Sequence, residues 1–195
     1  MVPKVVSTAV PPPPSGPMHP RLQDITDYLA AVRADLIKLV DTTPREALIA
    51  SAPAGQWNSA QLIEHLGIVE GSVAKLLEGL FAKAMADGLP MDTETSSIIP
   101  TLDKFSLSDR NVAKLEAPER VRPSAAPDLD AAWASLLKVR GRTLAAVATV
   151  DGRDLTKVSA PHPHPAIGVL NGYQWLLLIG QHEERHRRQM LDVLR

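Results

Sequence analysis

Hydrophobic and polar positions alternate with a helical period along most of this chain. From Pro20, a residue suited to a first helical position, Leu22, Ile25, Leu29, Val32, Leu36 and Leu39 recur at three- and four-residue steps, and the pattern stops before Pro44. A second helix is predicted from Asn58, whose side chain can cap while Gln61 reaches back, with Leu62, Leu66, Val69, Val73, Leu76 and Leu80 as its stripe. Gly88 and Pro90 close it. A third runs from about Asp128 to Val150, with Leu129, Trp133, Leu136, Leu137, Leu144 and Val147 inward, and Asp151-Gly152 breaks it. A fourth begins near Gly168 and carries Trp175, Ile179, His182, His186, Met190 and Val193 on one face. No segment has both the length and the alternation of a strand.

The predicted class is all-α, a four-helix bundle with a long crossover connection between the second and third helices. That connection, from about Pro90 to Pro127, is punctuated by Pro100, Pro118 and Pro123. Length of this order inside one domain points to a crossover or a lid. Residues 1–19, with four consecutive prolines at Pro11–Pro14, read as a disordered proline-rich tail, and 20–195 as the bundle domain.

Composition narrows the functional classes. A net charge of −1 gives no electrostatic footprint for nucleic acid. No window approaches the ~18–20 apolar residues that cross a bilayer, and the N-terminus lacks an unbroken apolar signal core, so a soluble cytoplasmic protein is expected. Without cysteine, a transition-metal site has only His and carboxylate to use.

The sequence His182-Glu183-Glu184-Arg185-His186 spells the H-E-x-x-H of zinc proteases. On a helix the two histidines lie about 40° apart, one turn along, and can reach one ion. Both fall in the apolar stripe, so they point inward; the alternative is two core histidines, each satisfied by a hydrogen bond. The protease reading needs a further ligand downstream. Gln189 and Asp192 stand where Gly and His are required, and no later helix precedes Arg195. An upstream ligand is expected instead. His65, between Leu62, Leu66 and Val69 on the second stripe, is the best candidate. Three imidazoles from two helices suit zinc, nickel or another late divalent ion and leave coordination positions open. His162 and His164, in a Pro-His-Pro-His-Pro loop, are not expected to touch the ion, and His19 belongs to the tail.

Two residues are candidates for catalytic work. Glu183 lies about 100° from His182, towards the flank, where it is either a general base or, with Glu184, part of a solvated face. Gln189 lies about 20° from His182 in projection, two turns on, and can address a coordinated ligand or hold His186. Ser72 is a weaker candidate to line the pocket. Trp57 and Trp175 read as core anchors, and the arginines of the last turns as partners of the helix dipole.

Trp57-Asn58-Ser59-Ala60 followed by His65, the connection Glu116–Pro123, and His164-Pro165-Ala166-Ile167-Gly168 leading to His182-x-x-x-His186-x-x-Gln189 together resemble DinB-like proteins, from about residue 20 onward. Asn58 stands where that family commonly has Ser or Thr. The resemblance implies a four-helix bundle with a metal at His65, His182 and His186, and a metal-dependent hydrolase or thiol S-transferase acting on a small molecule, with a low-molecular-weight thiol such as bacillithiol or mycothiol as co-substrate. A non-catalytic, metal-stabilised ligand-binding bundle is the alternative, and an interaction protein with core histidines a third. Such bundles often form a homodimer, although no stripe here exceeds what one core requires.

Overall fold

The computed structural model describes residues 17–108 and 117–195. The long helices are α1 (Pro20–Thr42), α3 (Ser59–Ala86), α4 (Leu129–Ala148) and α5 (Gly172–Val193), with a single-turn α2 (Arg45–Ile49) after α1. The chain is an all-α bundle, as its periodicity predicts. The most extensive packing is α3 on α4; α5 packs on both α1 and α3. Leu22, Ile25, Leu29, Leu62, Leu66, Leu77, Leu136 and Leu176, all nearly inaccessible, form the core between them.

Local chemistry sets the ends. At α3 the capping box is complete: Gln61 N donates to Asn58 Oδ1 at 2.9 Å and Asn58 N donates to Gln61 Oε1 at 3.0 Å. The same device, Asn171 with Gln174, opens α5 at Gly172 rather than near Gly168. The residues before it are taken up by a short antiparallel hairpin, β1 (Ser159–Pro161) with β2 (Val169–Asn171), too brief for alternation to reveal. Asp128 caps α4 through the amides of Asp130 and Ala131.

Two inward assignments on α4 are wrong. Leu137 and Leu144 are 43% and 41% exposed. The inward face is the row Leu136, Val139, Arg140, Thr143 and Val147, so polar residues hold positions that an apolar stripe would claim. The missing partners lie on the other helices: Arg33 of α1, Glu70 of α3 and Glu183 of α5 are also buried.

The connection from α3 to α4, residues 87–128, is tied down at both described ends. Asp92 accepts from Arg21 and, at 2.5 Å, from the Tyr173 hydroxyl, while Arg21 also reaches Ser96. Near α4, Ser124 N donates to Glu64 at 2.6 Å, and a single helical turn at Glu119–Val121 lies against α3. The expected proline-rich tail falls mainly on residues 1–16, outside the described residues. Its last residues join the fold: Met18 packs against the core and His19 N donates to Asp151 at 2.9 Å. Among the described residues no helix is long and apolar enough to cross a membrane.

Candidate metal centre

One face of α3 and one face of α5 bring three imidazoles together. His65 sits on α3 between Leu62 and Leu66 and is 3% exposed; His186 is nearly as covered, and His182 half-buried. One ring nitrogen of each lies within 4.8 Å of the others. His182 Nε2 is 3.3 Å from His65 Nε2 and 3.1 Å from His186 Nε2.

The opposite nitrogens decide what these three atoms carry. His65 Nδ1 is 2.6 Å from the carbonyl oxygen of Val121, and His186 Nδ1 is 3.0 Å from Gln189 Oε1. Both partners are acceptors, so both Nδ1 atoms hold the proton and both Nε2 atoms present a lone pair. A proton on His182 Nε2 can serve only one of them well. A cation at the centre satisfies all three at once. Its bonds of about 2.0–2.1 Å in tetrahedral array imply nitrogens about 3.3 Å apart, close to the separations here. The donor set therefore fits a late divalent ion.

Electrostatics favour the same state. Burial pushes His65 below the ordinary imidazole range, against the contrary pull of its bond to Val121. Burial, then the neighbouring His186 and His65, push His182 well below it. Buried imidazoles that resist protonation remain competent ligands.

Around the trio, Trp57 packs on His65 with ring centroids 4.9 Å apart, so it braces a candidate ligand as well as the core. Gln189 is placed on His186, in the orienting position that its spacing allows. Val121, in the connection between α3 and α4, fixes the tautomer of His65 through its backbone. No side-chain pattern announces a backbone carbonyl, so sequence reasoning missed it.

Other candidates lie elsewhere. Glu183 is 1% exposed, and its carboxylate is held by Arg33 at 2.7 Å and Arg140 at 2.6 Å. It is thus not on a solvated face, and two guanidinium groups occupy its oxygens. Glu184 is half-buried and paired with Arg187 and Arg188, which accounts for two of the terminal arginines. Ser72 is exposed and donates to Ile68 of its own helix, away from the trio. His162 stacks on Trp175 with centroids 5.5 Å apart, and neither it nor His164 joins the cluster.

A helical bundle with three inward imidazoles on two of its helices is the arrangement of a metal-binding bundle. The model of the DinB superfamily matches residues 28–190, and the chain belongs to that superfamily. It is similar to Uncharacterized protein YuaE of Bacillus subtilis (strain 168), 26% identical over 153 residues that cover 76% of this chain and 83% of the relative. No solved structure matches.

Proposed function

We propose that this protein is a divalent-metal enzyme acting on small molecules, a thiol S-transferase or a hydrolase, with zinc or nickel held by His65, His182 and His186. The observation that carries the reading is the convergence of three imidazole nitrogens, two of which, on His65 and His186, have outer partners that leave their lone pairs facing inward. A divalent ion on three neutral imidazoles keeps its full charge and acidifies a coordinated water or thiol. The chain's own contribution is to keep His65 and His182 neutral by burial, to orient His65 through Val121 and His186 through Gln189, and to cover one side with Trp57. Gln189 is assigned to orientation of His186; Glu183 has no part in proton transfer. A low-molecular-weight thiol as co-substrate sets the reaction in the cytoplasm, where thiols stay reduced.

Elemental analysis of protein purified without a chelating tag, beside His65→Ala, tests this reading. About one zinc or nickel per chain, lost in the variant, supports the site and directs a screen of thiols with electrophiles and of hydrolysable small molecules. No metal in either, even after incubation with divalent ions, overturns it. Stoichiometric metal with no turnover across such a screen, and no coordinated water or thiol exchanging at the ion, favours a ligand-binding bundle.

A further inference from the structure

Each long helix contributes one buried charge to a single network: Arg33 from α1, Glu70 from α3, Arg140 from α4 and Glu183 from α5, at 7%, 3%, 8% and 1% exposure. Each arginine binds both glutamates. Arg33 donates to Glu183 at 2.7 and 2.9 Å and to Glu70 at 3.0 Å; Arg140 donates to Glu70 at 2.6 Å and to Glu183 at 2.6 Å. The remaining guanidinium donors cross over reciprocally, Arg33 to Leu136 O of α4 at 3.0 Å and Arg140 to Leu29 O of α1 at 2.9 Å. Thr143 completes Glu70 at 3.0 Å.

Such a network adds little stability over apolar side chains of the same volume, since desolvation offsets most of the attraction. What it adds is register. Apolar stripes tolerate a slip along the helix axis, whereas bidentate charge pairs do not. The arrangement of sign is also telling. Both carboxylates are on α3 and α5, the helices that carry the metal-ligand candidates, and both cations are on α1 and α4. Glu183 directly follows His182, and Glu70 lies five residues, about 7.5 Å, beyond His65. A one-turn slip of α3 on α5 would displace His65 by about 5.4 Å and dissolve a cluster in which His182 Nε2 lies 3.3 Å from His65 and 3.1 Å from His186.

We propose that Arg33, Glu70, Arg140 and Glu183 act as positioning residues, a four-helix register lock that holds His65 against His182 and His186. The proposal rests on the metal reading for its purpose, though not for its geometry. The test is the variant Arg33→Met, Glu70→Leu, Arg140→Met, Glu183→Leu, checked for helicity and thermal melting. Metal affinity is measured with zinc and cobalt, and proton cross-peaks between the three imidazole rings are recorded in metal-free protein. The expected result is a helical protein that melts near the wild type, with ring cross-peaks lost and metal bound at least about tenfold more weakly. A folded variant that keeps the cross-peaks and the wild-type affinity overturns the proposal. If the wild type itself binds no metal, the metal reading fails and the cross-peaks alone decide the register lock. If the fourfold variant does not fold, Glu70→Gln takes its place with the same two readouts. A merely stabilising network would lower its melting temperature and leave both readouts unchanged.

Discussion

Lowering the pH from 7.5 to 5.5 should destabilise the metal-free protein through its imidazoles. In the unfolded chain each histidine titrates near 6.5, whereas burial holds His65 and His182 below that value in the fold. Below pH 6.5 the unfolded state therefore binds more protons, so stability rises with pH and is lost as pH falls. An imidazole that stays neutral to pH 5.5 forgoes about 1.4 kcal/mol relative to the unfolded chain, so the buried pair gives an upper bound of about 3 kcal/mol. His162, also lowered by burial but half-exposed to solvent screening, adds a smaller amount. Carboxylates titrate near 4 in the unfolded chain and contribute little in this window. Urea unfolding followed by helical circular dichroism at the two pH values measures the difference. His65→Leu, with one imidazole fewer, should narrow it. A metal-free wild type whose stability changes by less than about 0.5 kcal/mol would refute the reasoning, because the imidazoles would then titrate as they do in water.

Two glycine substitutions should have opposite signs. A Cβ at Gly180 would meet the Tyr28 ring at 2.5 Å, so Gly180→Ala should cost about 1 kcal/mol net of its helix-propensity gain and lower the melting temperature by about 2–4 °C. Gly79 in α3 has nothing within 4 Å, so Gly79→Ala should raise stability by about 0.5–1 kcal/mol; equal effects in calorimetry would contradict the close approach of α1 to α5. Gln189→Leu removes the acceptor that orients His186 and should weaken metal binding about tenfold in competition titrations while leaving the fold intact. Asp92→Ala leaves the buried Arg21 without its carboxylate partner and should cost about 3–5 kcal/mol in denaturant unfolding, while the Tyr173 hydroxyl keeps its bond to Arg153 O.

Periodicity exposed the long helices because an amphipathic stripe is a local property, and Asn58 with Gln61 marked the start of α3 because a capping box is local too. His65, His182 and His186 were legible for the same reason: polar residues that can ligate stood inside apolar stripes. The reading went astray where burial depends on partners far along the chain. Glu183 read as a general base or part of a solvated face, Arg33, Glu70 and Arg140 gave no local signal, and only the assembled bundle shows that each of the four is neutralised by the others. Taking Leu137 and Leu144 as inward follows from the same blindness, since Arg140 and Thr143 hold the inward positions. The start of α5 was misplaced because β1 and β2 pair across a loop through only three residues each.

The bond from His65 to Val121 ties the three-histidine cluster to the α3–α4 connection, and this has a measurable consequence. A cation on Nε2 draws electron density from the imidazole and makes its Nδ1–H a stronger donor to the Val121 carbonyl. Val121 closes the turn that begins at Pro118, with its own amide donating to Pro118 O at 3.0 Å and that of Arg122 to Glu119 O at 3.1 Å. Strengthening the outer bond by about 1 kcal/mol should slow exchange of these two amides about fivefold when metal binds. Amides in the middle of α4, which has no ligand, should respond less. His65→Ala should abolish the difference at Val121 and Arg122. If metal binds to the wild type and these amides exchange at an unchanged rate, the turn is held by its own contacts, such as Ser124 on Glu64, and the carbonyl of Val121 orients the ligand without being held by it in return.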